Sequence, residues 1–266
     1  MGGGNYTAWI FTIGNEVVHG RVINTNSAFL GRRLVLLGYD VLGNISLVDD
    51  VDLISQFIKY VLPTSKVIIT TGGLGPTYDD RTSEALAKAL GLPLDLNQEA
   101  FEMVKSKYAA LNLPLTQERV KMAMLPKGAK PIPNRVGTAP GIHVDVDDRM
   151  VISLPGVPKE MEVMFEEYVV PLLMARGPKI FLAEREFEVR NLPESSAAES
   201  VNKLLKKYSN VYIKTQPKGT ELGKPILSVY VCVSSKLKEE AEGIADEVVR
   251  ELMSSFISRG GVITSG

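Results

Sequence analysis

The sequence predicts an α/β fold: a mostly parallel sheet covered by helices on both faces, followed by a small α+β domain. Three observations carry this prediction. Short apolar runs alternate with helix-spaced segments over residues 8–90. A glycine-rich turn joins an apolar run to a helix at Thr70–Ala85, the usual place for a ligand in a parallel sheet. The order of elements then changes after Arg176-Gly177-Pro178, which sets a boundary between residues 1–176 and 177–266.

Ala8–Ile13 reads as a strand by run length and aromatic content. Phe29, Leu30, Leu34 and Leu37 fall at helical spacing, and Gly38 closes that helix. Val41–Val48 is a second strand. Asp50 is placed to cap a helix carrying Leu53, Ile54, Phe57, Ile58 and Val61. Lys66–Thr71 is a buried strand, and Glu84–Leu90 is the helix after the glycine turn. From Leu92 to Pro133 the rhythm breaks, with helices expected at Asn97–Leu111 and Thr116–Met124, an insertion placed to cover the site. Ile142–Val146 and Arg149–Leu154 read as a hairpin whose turn uses Asp147-Asp148. Pro158–Ala175 is a helix whose stripe of Met161, Met164, Phe165, Tyr168 and Leu172 reads as core. The second domain is expected as a strand (184–190), a helix (194–208), two strands (211–215 and 226–233) and a long helix from Leu237 to Phe256. Thr215–Pro225, with Lys214, Lys218 and Lys224 in or beside it, reads as a solvated loop, and Met1–Asn5 as a loose arm.

The 266 residues suffice to bury a core without disulfides, since a chain of this length hides roughly three quarters of its unfolded surface. The one cysteine, Cys232, sits inside an apolar run and reads as a buried strand thiol, in keeping with a reducing compartment. A net charge of −1 leaves no electrostatic footprint for nucleic acid. No apolar run approaches the roughly 18 residues of a membrane span, and no signal peptide is evident. The expectation is therefore a cytoplasmic protein that binds neither membrane nor nucleic acid.

Four clusters carry candidate chemistry. In the first, Thr71, Gly72, Gly73, Leu74, Gly75 and Thr77 form a turn whose backbone can approach a bulky anion. The helix start that follows offers free N–H groups and positive potential. Asp79 and Asp80 stand beside it, and carboxylates next to a bound phosphate call for a divalent cation between them. Asp79 reads equally as an N-cap, whereas Asp80 is the better metal or water ligand. The second cluster, Gly14 to Asn26, follows the first strand and shares an edge with the turn. Its Glu16 is a metal candidate, and Asn24 and Asn26 are ligand candidates, with helix capping by Asn24 or Thr25 as the competing reading. The third is Asn134–Gly141, including Gly137 and Thr138, and the fourth is Leu154–Met161, including Pro155 and Gly156. His19 and His143 are too few for a zinc site, and no Ser-His-Asp or Cys-His arrangement is evident.

These four motifs, in this order over residues 7–175, resemble the CinA (competence/damage-inducible protein) family and its molybdopterin-binding-like region. The family patterns G-[DN]-E-x-x-x-G-x-x-x-N-T-N, T-G-G-L-G-P-T-x-D-D-x-T, N-x-x-G-T-A-P-G and L-P-G-V-P-x-E-M match Gly14–Asn26, Thr71–Thr82, Asn134–Gly141 and Leu154–Met161. The tail is similar to the small α+β domain of such proteins, with Glu194-Ser195-Ser196-Ala197 as its signature. The resemblance implies a three-layer α/β/α fold of the MoaB/Mog type. It implies that the glycine turn binds a ligand phosphate, that Asp80 is functional, and that Thr82 and Glu84 match family positions, which makes Asp80 and Glu84 the catalytic candidates. Tyr78 stands where many members carry histidine. Many bacterial members continue into a deamidase domain, and no such activity is expected of a chain ending at Gly266.

The function this implies is metal-dependent pyrophosphatase activity on an ADP-ribose-like dinucleotide, with a Mg²⁺-class ion held by Asp80, Asp79 and Glu16. The alternatives are a molybdopterin-binding protein of molybdenum-cofactor metabolism and a non-catalytic nucleotide sensor. A small-molecule nucleotide or pterin is the expected ligand, and a homodimer the expected assembly.

Overall fold

The computed structural model describes residues 6–218 and 225–264. It divides into two compact units, residues 1–34 with 39–177, and residues 35–38 with 178–266. The larger unit runs β1 (Thr7–Ile13), α1 (Asn15–Val18), α2 (Thr25–Leu36), β2 (Asp40–Leu47), α3 (Val51–Val61), β3 (Val67–Thr71), α4 (Thr82–Leu90), β4 (Leu94–Leu96), α5 (Gln98–Ala110), α6 (Gln117–Val120), β5 (Met124–Pro126), β6 (Lys130–Ile132), β7 (Gly141–Val146), β8 (Arg149–Leu154), α7 (Pro158–Met164) and α8 (Val170–Arg176).

Its main sheet has the order β2-β1-β3-β8-β7-β6. β2, β1, β3 and β8 are mutually parallel, and β7 and β6 add antiparallel pairs. The parallel strands need crossover helices, which cover both faces. On one face Phe11, Ile13 and Ile68 pack with Ile54 and Ile58 of α3, Leu86 of α4 and Val104 of α5. On the other, Gly31 of α2 lies over Ile10, and Phe29 meets Phe165 edge to face at 5.8 Å. Arg33 on that face is almost fully buried and makes a bidentate pair with Glu166, with both contacts at 2.7 Å. The carboxyl ends of β1, β3 and β8 therefore converge, and the site lies there.

The expected caps and turns hold locally. Asp50 Oδ1 accepts from Leu53 N at 2.7 Å and starts α3, while Gly38 after α2 and Asp147 in the β7–β8 turn have φ of 80° and 53°. Several boundaries differ from expectation. α4 starts at Thr82 rather than Glu84, and a short α1 occupies a stretch read as loop. The segment read as a helix over Thr116–Met124 is α6, one tight turn at Lys121–Ala123, and then β5. β5 pairs with β4, and β6 joins the main sheet, so the insertion contributes strands as well as helices. The helix expected over Pro158–Ala175 opens into a wider turn at Phe165–Val169 before Pro171, whose ring cannot continue the hydrogen-bond ladder.

The smaller unit contains β9 (Phe181–Arg190), α9 (Glu194–Lys207), β10 (Val211–Lys218), β11 (Ile226–Ser235), α10 (Lys238–Ser258) and β12 (Val262–Thr264). Its antiparallel sheet has the order β10-β11-β9-β12, with α9 and α10 packing Val201, Leu204, Val248 and Leu252 against it. Thr215–Lys218, read as loop, extends β10 instead: its residues pair with Ile226–Val229, and Lys218 Nζ meets Glu188 at 2.7 Å. The rest of that expected loop through Lys224, and the expected arm at Met1–Asn5, lie outside the described residues. Cys232 is buried in β11 as expected. Among the described residues no helix is long and apolar enough to cross a membrane.

Candidate functional site

The glycine turn leaves β3 and is tied down on two sides. Gly72 N donates to Leu154 O at the end of β8 at 2.9 Å. Buried Thr82 donates Oγ1 to Gly72 O at 2.9 Å and its amide to Gly73 O at 3.0 Å. Gly72 and Gly73 have φ of 104° and 68°, a region that penalises any side chain. A Cβ on Gly72 would meet the Ile13 carbonyl, and one on Gly73 the Thr82 hydroxyl. Among the described residues the amides of Gly73, Leu74 and Gly75 donate to no protein acceptor. Three successive open N–H groups form an anion cradle.

Thr77–Asp80 close a second small turn beside it. Thr77 N donates to Asp80 Oδ2 at 2.9 Å, and Asp80 N donates to Thr77 O at 3.2 Å. Thr77 Oγ1 reaches Asp80 Oδ2 at 2.6 Å and also hydrogen-bonds Asp79, sharing one proton between two carboxylates. That hydroxyl holds the exposed Asp79 carboxyl below its ordinary range. Lys121, from the insertion, donates to Thr77 O at 2.5 Å. The capping reading of Asp79 fails, because α4 begins two residues after Asp80 with Arg81 at the N-cap position and no side-chain cap.

The cradle opens into a cavity of about 500 Å³. Its walls are the turn Gly72–Thr77, Ile13, Gly14 and Glu16 after β1, Asp49 after β2, Thr138 and Ala139 before β7, and Pro155–Val157 after β8. Among the described residues five carboxylates line it, from Glu16, Asp49, Asp79, Asp80 and Glu160, and no lysine or arginine does. Asp49 shows the effect. Burial pushes its carboxyl above the ordinary range, a hydrogen bond from Asn15 N at 2.9 Å pulls it back, and the negative charges of Glu16, Asp79 and Asp80 push it up again. Glu160 receives 2.7 Å donation from Asn134 Nδ2, while Asn134 Oδ1 accepts from the Val136 and Gly137 amides. Among the described residues no group of three or more His, Cys, Asp or Glu side chains is disposed to hold a metal ion by itself. Asp80, Asp79 and Glu16 thus share the cavity without forming a complete protein cage.

Of the residues singled out from sequence, Glu16, Gly72, Gly73, Leu74, Gly75, Thr77, Asp79, Asp80, Thr138, Pro155 and Gly156 line this cavity. The others stand elsewhere. Thr71 is buried behind the wall, donating Oγ1 to Pro155 O at 2.8 Å. Asn26 joins the strand ends by donating Nδ2 to Thr71 Oγ1 at 2.9 Å and to Gly156 O at 2.8 Å. Asn24 takes the capping reading: its Oδ1 accepts from Ser27 N at 3.1 Å, and its Nδ2 donates to Thr12 and Ser46. Gly137 packs against the Glu160 carboxylate behind the lining. Glu84 is held in a bidentate pair by Arg81, at 2.8 and 2.7 Å, and lines a separate pocket of about 190 Å³ on the other side of the turn. It is not a cavity residue. Sequence reasoning missed Asp49 and Glu160. Asp49 was hidden beside the more obvious cap Asp50, and Glu160 lies inside the fourth motif, where its spacing after Pro155-Gly156 was the available signal.

Comparison with known proteins adds four findings. The family of probable molybdopterin-binding domains matches residues 9–175. A protein of Caldivirga maquilingensis is 47% identical over 248 residues, covering 93% of this chain and 95% of that protein. Another, from Pyrobaculum calidifontis, is 46% identical over 255 residues, covering 95% and 97%. Among solved structures, the protein CinA with unknown function from Thermoplasma acidophilum is 41% identical, with a TM-score of 0.59, covering 65% of this chain and 99% of that one.

Proposed function

The chain belongs to the family of probable molybdopterin-binding domains, in its CinA form, and from that premise we propose that the cavity binds and hydrolyses the diphosphate of an ADP-ribose-like dinucleotide with a Mg²⁺-class ion. One observation carries this reading: open backbone amides and five carboxylates share one cavity that, among the described residues, has no cationic side chain in its lining. Amides invite a phosphate, and carboxylates repel it unless a cation lies between them. Mg²⁺ ordinarily takes one or two carboxylates and completes its shell with water and substrate phosphates.

In this reading the Gly73–Gly75 amides donate to non-bridging phosphate oxygens. Asp80, with Asp79 or Glu16 as a second carboxylate, would hold the ion, and Asp49 adds negative charge to the same wall. When bound, such an ion would neutralise charge on the diphosphate and polarise a phosphoryl oxygen. Thr77 fixes the Asp80 carboxylate, and Asn134 fixes Glu160 on the opposite wall. Water adds across the P–O–P linkage, which breaks to give two monophosphates. Glu84 has no part in this step, being engaged by Arg81 outside the cavity.

The family match itself favours a second reading, binding of molybdopterin through the same cradle. Purified protein incubated with ADP-ribose-like dinucleotides and with molybdopterin, with and without Mg²⁺, separates the two. Mg²⁺-dependent release of two monophosphates is expected. Tight molybdopterin binding with no dinucleotide turnover in any divalent cation would replace the first reading by the second, and dinucleotide binding without turnover would make the protein a sensor. The proposal extends to a two-fold homodimer, for which sedimentation should show twice the 29.0 kDa chain mass.

A further inference from the structure

A second concavity, an open groove of about 940 Å³, lies beside the cavity in the same unit. One wall is a face of α5. Ala100, Val104 and Tyr108 turn into the core, which leaves Glu99, Met103, Ser106 and Ala110 stacked at helical spacing along the groove. The opposite wall is the segment Pro133–Pro140. Lys107 Nζ donates across to Arg135 O at 2.8 Å and ties the walls together. Asn97 caps α5 through Ala100 N at 3.0 Å and anchors it through Ala129 O at 3.1 Å, so the wall is fixed. Thr138 lines both the groove and the phosphate cavity, and Asn134, on the groove wall, holds Glu160 of the cavity at 2.7 Å. The two concavities are neighbours across one residue.

Their chemistries differ in a useful way. The phosphate cavity is dominated by open amides and carboxylates, with Ile13, Leu74, Ala139 and Val157 as apolar residues between them. The groove takes apolar surface from Met103, Pro133 and Pro140, and its lining also holds Ser106 and the charged side chains of Glu99, Glu102, Lys107 and Arg135. That is the composition of a site for a planar heteroaromatic ring, which needs two apolar faces and a hydrogen-bonding rim. A methionine sulfur beside such a ring adds polarizable contact. We infer that this groove is the ring subsite of the ligand: with the diphosphate in the cradle, the purine nucleoside end passes Thr138 and lies between α5 and Pro133–Pro140. This rests on the diphosphate reading of the cavity and adds to it the part of the molecule that the cavity does not recognise.

The test uses the full chain with two probes, ADP-ribose and inorganic pyrophosphate, each in Mg²⁺, with affinities measured by calorimetry. Ser106 and Ala110 are exposed helix positions, so Ser106→Trp and Ala110→Trp fill the groove without disturbing the core. Unchanged thermal unfolding and Ser106→Ala serve as controls. Each tryptophan variant should bind ADP-ribose at least about tenfold more weakly, with pyrophosphate affinity kept within about twofold. ADP-ribose affinity that survives both tryptophans would overturn the subsite, as would an equal loss for both probes. Wild-type protein that binds neither probe would overturn the diphosphate reading and the subsite with it. Wild type that binds pyrophosphate but gains nothing from the nucleoside would overturn the subsite alone.

Discussion

Thr77 and Asp80 hold each other: Asp80 Oδ2 accepts from the Thr77 amide at 2.9 Å and lies 2.6 Å from its hydroxyl. The turn between them presents Asp79 and Asp80 to the cavity and leaves Tyr78 at its apex, 90% exposed. Because Asp80 accepts from a neighbouring turn rather than from the first turn of α4, its carboxylate is fixed next to the cradle without being consumed as a helix cap.

Asp80→Asn is expected to keep the fold, since asparagine retains an oxygen that can accept from Thr77 N. Lost charge should weaken the cation site, and Mg²⁺-dependent dinucleotide hydrolysis should fall by about 100-fold or more. Dinucleotide affinity should change less, because the Gly73–Gly75 amides hold phosphate independently. Turnover, calorimetric affinity and thermal unfolding on this one variant decide the matter. Near-normal turnover would remove Asp80 from the chemistry.

Thr82→Val tests how the cradle is held. The variant keeps the volume and removes the hydroxyl that donates to Gly72 O at 2.9 Å in a fully buried place. Leaving that carbonyl without the bond should cost about 1–3 kcal/mol, read as a lower denaturant midpoint with unchanged m-value. Phosphate-ligand affinity should drop together with stability, since Gly73 and its neighbours lose their brace. Stability equal to wild type would show that the hydroxyl is not a strut.

The legible parts of this chain were those with local signals. Val67–Ile69 is a continuous apolar run because β3 is buried on both faces, and Asp50 stands one residue before an apolar helix stripe. The glycine turn was legible because Gly72 and Gly73 occupy conformations that side chains avoid. β4, β5, β6 and β12 have three residues each, too few for a period of two to show. Asp49 reaches the cavity only because β2 lies beside β1, which brings it next to Asn15, a long-range fact. Glu84 misled because motif position says which loop a residue follows and not which side of it the side chain takes. Its neighbour Arg81, three residues earlier, claims it.

The division into units carries its own expectation. A fragment of residues 1–177 contains the whole main sheet, its core on both faces and every cavity residue. We expect it to unfold cooperatively on heating and to bind Mg²⁺ with pyrophosphate as the full chain does. A fragment with no cooperative transition would mean that the larger unit is not an independent domain.

The last expectation concerns acid. Buried His143 on β7 lies 3.0 Å from Asp145 through Nε2 and 3.3 Å from the Tyr168 hydroxyl through Nδ1. Burial lowers its pKa, more than the adjacent Asp145 carboxylate raises it. The unfolded chain, with histidine near 6.5, therefore binds more protons than the folded one between that value and the lower folded pKa, and stability falls as pH drops through this window. Asp145 acts in the same direction at lower pH. Burial alone would raise its carboxyl, but the hydrogen bond from Arg176 and the charges of His143 and Arg176 outweigh burial and hold it at about 2. Its contribution is present above the unfolded value of about 4 and is lost as pH falls from there toward 2, reduced by solvent because the side chain is 35% exposed. Denaturant midpoints measured from pH 7.5 to 3 should decline first below about pH 6.5 and again below about pH 4. His143→Gln should flatten the first decline and shrink the second only in part, because Arg176 still holds Asp145, and Asp145→Asn should flatten the second. A wild-type midpoint that stays level from pH 7.5 to 5, or a His143→Gln profile with the wild-type slope in that range, would show that His143 is not the group responsible.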